Sequence, residues 1–161
     1  NYKLIRGNVD TRIEKLENGD YDAILLSKAG VEALGLTNKI TQEFTSEELI
    51  PCAGQGIIAI QCRENDEEII NILEKINDNH SRIIANAERK ILKILEGDCD
   101  TAVGVYAKID QDIVNIKAEL FSVDGKKRFY VDESENKKMI TNLSIKIAEK
   151  LKLESKGSYK R

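Results

Sequence analysis

The chain has 161 residues, 41% apolar and 33% charged, with 25 basic against 28 acidic side chains and a net charge of −3. That length suits one ordinary domain or two small ones, the apolar share excludes a disordered chain, and the charge balance excludes a general basic grip on nucleic acid, though not a small basic pocket. Three cysteines (Cys52, Cys62 and Cys99) at no metal-ligand spacing, with a lone histidine, His80, argue against a zinc site and for a reducing, cytoplasmic setting. No apolar run nears the ~20 residues of a membrane span and no signal peptide is read, so no membrane partner is expected.

Taken in order, Tyr2 to Ile5 reads as a short strand. In "RGNVDTR", Arg6 to Arg12, Gly7 and Asn8 make a turn, and Asp10 or Thr11 is placed to cap a helix carrying Ile13 and Leu16, which Gly19 ends. A strand, a glycine turn and a helix start present backbone N–H groups to an anion, and Arg6 and Arg12 add two guanidinium forks that match carboxylates. On local grounds alone a plain turn with two solvated arginines is the commoner outcome. "DAILLS", Asp22 to Ser27, is a continuous apolar run suited to a strand covered on both faces, and "KAGVEALGL" a short helix closed by Gly35. This is half of an α/β domain. Thr37 to Glu48 is polar and irregular, with a short helix near Ser46 to Leu49.

Pro51, the only proline, opens "PCAGQGIIAIQCR", a hinge entering an apolar strand at Ile57 to Ile60. Cys52 and Cys62 are read as packing residues. Ile69, Ile70, Leu73 and Ile76 share one helical face, and a second helix opens at Ser81 and runs through Ile84, Ala87, Ile91 and Leu95 to Glu96. Glu88 and Arg89 are read as a solvated pair and His80 as a surface residue. Gly97 is placed for a left-handed helix end, and Cys99 follows on a loop between Asp98 and Asp100, whose charges disfavour a thiolate. Strands are predicted at Ala102 to Ile109, Ile113 to Phe121 and Lys127 to Val131, joined by turns and hence antiparallel, followed by an amphipathic helix from Glu135 to Leu151 and a frayed tail. The second half is therefore a small α+β domain with a three-stranded antiparallel sheet.

Four stretches in this order resemble one family. "LIRGNVDTRIEKLENGDYDAILLSKAGVEALGL" is similar to the second-domain segment of porphobilinogen deaminase (hydroxymethylbilane synthase), "PCAGQGIIAIQCR" to its crossover to the first domain, and "AERKILKILEGDC" with "GVYA" to its cofactor-cysteine motif. The resemblance covers residues 2 to 107. It implies a periplasmic-binding-protein-like α/β domain pair followed by the α+β domain. The domains would then be 1–50, the C-terminal half of domain two; 51–76, the hinge and returning segment of domain one; and 77–161, the domain carrying the cofactor cysteine. It implies a dipyrromethane cofactor bound through a thioether to Cys99, with Arg6, Gly7, Asn8 and Arg12 as further cofactor-binding residues holding acetate and propionate groups. The implied reaction joins four porphobilinogens head to tail with loss of ammonia, in tetrapyrrole biosynthesis. The acidic catalytic residue would lie in the first domain, so the chain, read as a fragment, is expected to be inactive alone and to self-associate, and the full-length protein to be a monomer. Asp98 stands where the family usually has glycine, Asp100-Thr101-Ala102 where it has Gln-Val-Pro, and Ala33 where it commonly has arginine, with Lys28 as a partial substitute. Two other readings stand beside this one. One is a cysteine-nucleophile transferase, for which His80 is the lone base. The other is a non-catalytic ligand-binding α+β module.

Overall fold

Alternation of apolar and polar residues between positions 103 and 136 builds a three-stranded antiparallel sheet in the order β1-β2-β3, with β1 Val103–Asp110, β2 Ile113–Phe121 and β3 Arg128–Asn136. The computed structural model describes residues 2–97 and 101–160, and its contacts divide the chain into two units, Asn1–Phe44 and Thr45–Arg161. Register pairs Ala107 with Ile116 and Ala118 with Val131. Val105, Ala107, Val114, Ile116, Ala118, Leu120 and Val131 thus share the buried face.

Two helices cover that face. Helix α4, Asn79–Leu95, supplies Ala87, Ile91 and Leu95 and packs on β1; α5, Ile140–Ser155, supplies Leu143, Ile147, Ala148 and Leu151 and packs on β2, β3 and α4. Asp78 caps α4, its Oδ1 accepting from the Ser81 N–H at 2.7 Å. Preceding them in this unit is α3, Glu67–Glu74, capped by Asp66. The unit ending at Phe44 contains α1, Val9–Glu17, and α2, Lys28–Ala33, with Ile13 and Val31 buried.

The α+β architecture of the second half is as the sequence predicts; several details differ. Segments 2–5, 22–27 and 57–60 form no strand among the described residues, and Leu4, Leu25 and Ile58 are 77%, 65% and 89% exposed. A strand exists only with a partner ladder, and none of the described residues supplies one. Residues 46–48 make a turn rather than a helix, tied by Glu48 Oε2 accepting from the N–H and hydroxyl of Thr45 at 2.9 Å each. Strand β3 runs past Val131 to Asn136, because Asn115 Nδ2 donates to Asp132 at 2.6 Å and Ser134 at 3.1 Å, and Lys146 holds Glu133 at 2.7 Å. Polar residues are thereby tolerated at a sheet edge, and α5 begins only at Ile140. The tail is not frayed: Tyr159 is buried.

Candidate functional site

The turn before α1 is where the sequence places its anion-binding residues, and Arg6, Gly7, Asn8 and Arg12 do come together there. Gly7 adopts φ +127°, and a Cβ on it would lie 3.1 Å from Thr11, so only glycine fits this corner. Asn8 is the N-cap residue; its carbonyl accepts from Arg12 N–H at 3.0 Å, while its side chain makes no cap bond. Asp10 does not cap: its Oδ1 accepts from the Thr11 N–H at 2.7 Å within the first turn. The N–H groups of Val9 and Asp10 thus have no acceptor among the described residues and face outward from the helix start.

Two basic side chains brace the same corner. Arg12 Nε donates to the Gly7 carbonyl at 2.7 Å, and Lys15 Nζ to the Arg6 carbonyl at 2.9 Å. Anchoring Arg12 through Nε leaves its terminal nitrogens for an external carboxylate. Arg6 is exposed, and among the described residues neither guanidinium is ion-paired. Two forks and two free amides suit a ligand bearing several carboxylates, so the residues present fit a dipyrromethane with acetate and propionate arms. Lys28 is already engaged, 2.7 Å from Glu43 and 3.7 Å from Glu32.

Cys99 lies outside the described residues, which end before it at Gly97. Glu96, not Gly97, takes the left-handed conformation, at φ 55°. Gly97 N–H donates to the Leu92 carbonyl at 3.2 Å and Glu96 N–H to Lys93 at 3.2 Å, the paired bonds of a Schellman stop. At Gly97 itself a Cβ would lie 2.8 Å from Leu92 Cδ1, the end of a half-buried side chain that can turn aside.

Sequence reasoning missed Glu88. It is 4% exposed, and its carboxylate accepts from the Gly54 N–H at 2.7 Å and the Ala107 N–H at 2.9 Å. Burial pushes its pKa above the ordinary value, against the two backbone donors that pull it down. It lines a groove of about 340 Å³ together with Cys52, Gln55, His80, Tyr106 and Lys108. His80 is exposed, as read, and so is Cys52, against its reading as a packing residue. Helical spacing placed Glu88 one step from Ala87 on the apolar face; that adjacency was the available signal.

Comparison with known proteins follows these two regions. The family model described as porphobilinogen deaminase, dipyromethane cofactor binding domain, matches residues 1–71, and that described as porphobilinogen deaminase, C-terminal domain, matches residues 83–153. The two halves are thus a cofactor-binding portion and a C-terminal portion of one kind of protein. The chain belongs to the porphobilinogen deaminase family. It is 40% identical over 154 residues to a porphobilinogen deaminase of Prochlorococcus marinus strain MIT 9515, covering 96% of this chain and 49% of that relative. It is 45% identical over 123 residues to one of Exiguobacterium sibiricum, covering 75% and 40%, and 43% identical over 123 residues to one of Francisella tularensis subsp. novicida, covering 76% and 41%. The chain therefore spans just under half the length of these relatives. No helix among the described residues is long and apolar enough to cross a membrane.

Proposed function

We propose that this chain supplies the cofactor-holding parts of a hydroxymethylbilane synthase, which condenses four porphobilinogens head to tail with loss of ammonia in tetrapyrrole biosynthesis. The observation that carries the reading is the braced turn at Arg6 to Arg12, with two guanidinium groups free of ion pairs and two open amides among the described residues at one helix start, inside the segment matched by the cofactor-binding family model. In this reading Arg6 and Arg12 bind carboxylates, and Gly7 and Asn8 shape the corner that holds them. Cys99 is the nucleophile that becomes the thioether. Dipyrromethane, when bound, supplies the fixed pyrrole end from which the product chain grows.

The domain assignment goes with this function. Residues 1–50 are the last half of an α/β domain, 51–76 a hinge and returning segment of its partner in a periplasmic-binding-protein-like pair, and 77–161 the α+β domain bearing Cys99. The acid that protonates the departing amine is not assigned to any residue here, and the 161 residues alone are inactive. The complete protein is a cytoplasmic monomer acting on porphobilinogen without nucleic acid or membrane partners. The test is the denaturing intact mass of the complete gene product, with Cys99→Ala as control. A mass excess equal to dipyrromethane, present only with Cys99 intact, is expected. An unmodified mass in folded protein made in cells that supply porphobilinogen overturns the assignment.

A further inference from the structure

The segment that leads into the turn before α1 belongs to no strand among the described residues, yet side chains hold three of its carbonyls. The Tyr21 hydroxyl donates to the Leu4 carbonyl at 3.1 Å, Lys15 Nζ to the Arg6 carbonyl at 2.9 Å and Arg12 Nε to the Gly7 carbonyl at 2.7 Å. Lys15 departs from the usual pattern. It lies in the last turn of α1, where a lysine ordinarily serves the open carbonyls and negative end of its own helix. Here it reaches back to Arg6 instead. Its ammonium has no other hydrogen bond or ion pair among the described residues.

These bonds fix peptide planes. A trans peptide points its C=O and its N–H in opposite directions. With the Arg6 and Gly7 carbonyls turned toward Lys15 and Arg12, the N–H groups of Gly7 and Asn8 turn away from those side chains. Neither N–H has an acceptor among the described residues, so they extend the open amides of Val9 and Asp10 into a run of four. Successive open amides of this kind suit an anion. The Arg6–Gly7 plane also contains the Arg6 Cα, so its tilt sets where the Arg6 side chain begins. Gly7 has no Cβ to resist rotation of that plane, which leaves the restraint to Lys15.

We infer that Lys15 is a positioning residue of the carboxylate-binding turn: by holding the Arg6 carbonyl it aims the Arg6 guanidinium and the Gly7 amide at one bound carboxylate. The inference rests on the reading of this turn as the cofactor-holding site. Lys15 acts on the ligand through Arg6 and not by contact.

The test uses the complete gene product made with porphobilinogen, as the parent, Lys15→Met, Lys15→Arg, Arg6→Ala and the double variant Lys15→Met with Arg6→Ala. Native mass spectrometry reads the retained pyrrole species. Lys15→Met is expected to lower retention about five-fold, and Lys15→Arg, which still donates to the carbonyl, to restore most of it. The double variant should match Arg6→Ala within about two-fold, because Lys15 then has nothing left to aim. Losses that multiply in the double variant overturn the inference, since Lys15 would then touch the ligand itself. Unchanged retention in Lys15→Met, beside a loss in Arg6→Ala, overturns it as well. If Arg6→Ala and Arg12→Ala both retain pyrroles as the parent does, the cofactor-holding reading of the turn fails. Lys15 is then judged in the ligand-free protein by NMR order parameters of the Gly7 and Asn8 amides. Lower order in Lys15→Met, restored in Lys15→Arg, keeps Lys15 as the residue that sets the turn; unchanged order overturns it.

Discussion

Glu88 Oε1 accepts the backbone N–H of Ala107 at 2.9 Å, so a side chain from α4 completes the open edge of β1. The neighbouring edge donor, Val105 N–H, is taken by the Pro51 carbonyl at 2.8 Å, and the other Glu88 oxygen holds Gly54 N–H at 2.7 Å. An unpaired strand edge is a liability, and here the 51–54 segment and one carboxylate close it together. Residues up to 71 match the cofactor-binding family model, yet 45–71 fall in the C-terminal unit. Glu88 ties one point of that stretch, Gly54, to β1.

Glu88→Gln should therefore destabilise the second unit although it is nearly isosteric. A carboxylate offers two acceptor oxygens to two N–H donors, whereas a glutamine amide turns its own N–H toward one of them. Leaving that buried donor unsatisfied costs about 1–3 kcal/mol. Equilibrium denaturation is expected to show that loss, and hydrogen exchange to show faster exchange at Gly54 or Ala107. The pH dependence has a definite sign. Burial raises the folded pKa of Glu88 above its ordinary 4.5, so the native state holds this proton more tightly than the unfolded chain. Its contribution weakens stability as pH rises from 4.5 through the raised value, and Glu88→Gln removes that slope.

Glu133 has the opposite sign. Lys146, at 2.7 Å, is the larger cause of its lowered pKa, followed by Lys150 at 3.4 Å, with partial burial opposing both. A lowered folded pKa gives stability that is present above the unfolded value of 4.5 and lost as pH falls through the folded one. Glu133→Gln should flatten the acid limb of the stability curve. Both lysines are largely exposed, so the loss at neutral pH is expected to stay below ~1 kcal/mol and to shrink in high salt. Acid titrations of parent and variant, followed by circular dichroism, measure it.

What the sequence makes legible is what local periodicity controls. The two long helices and three strands of the second unit are all present, because Ile91, Leu95, Val114, Ile116, Ile147 and Leu151 recur at periods that admit one buried face. The apolar runs at Tyr2, Asp22 and Ile57 carry an equally clear wish for burial, but a strand also needs a neighbour, which no local pattern supplies. The turn before α1 was readable from Gly7 and the residues around it. The Glu88 bonds and the bond of the Tyr159 hydroxyl to the Leu95 carbonyl were not, since they join residues 19 to 64 positions apart. The missed left-handed residue shows the same limit: Gly97 looked like the helix stop, yet tertiary contacts put the strain on Glu96.

Gly104→Ala tests how the 47–51 segment is seated. Gly104 faces away from the helices, where a Cβ would lie 2.8 Å from the Ile50 carbonyl oxygen and 3.1 Å from Ile50 Cβ. The obstacle is backbone and cannot swing aside. Overpacking of this kind costs about 1–3 kcal/mol. Ile50 should leave its buried seat and the Val105 to Pro51 bond should break, which thermal melts and amide exchange at Val105 will record.

Arg12→Ala and Arg6→Ala separate binding from folding. Arg6 is exposed, so Arg6→Ala should change the stability of the chain by less than ~1 kcal/mol, whereas Arg12 is half-buried with Nε bonded to the Gly7 carbonyl and its loss should cost about 1 kcal/mol. A charge-assisted bond to a carboxylate is worth about 1.5–3 kcal/mol, so retention of pyrrole carboxylates should fall roughly ten- to a hundred-fold. Native mass spectrometry of the complete gene product with porphobilinogen reads the retained species. Arg12→Lys should recover charge but not fork geometry, and so rescue only part of the loss.

The exposed apolar side chains predict association. Tyr2, Leu4 and Leu25 in the first unit, and Ile58 and Ile60 in the second, lie open to solvent on segments that belong to no helix or strand among the described residues. Such segments pair with any chain that offers a complementary edge. Size-exclusion chromatography with light scattering is expected to show mass rising with protein concentration. Replacing Ile58 and Ile60 by threonine keeps strand propensity and removes apolar area, so the rise should diminish. Lysine at both positions should suppress it further by charge at the edge. A monodisperse monomer at every concentration, with slow amide exchange through residues 57–60, would show that these segments find their partners within the chain.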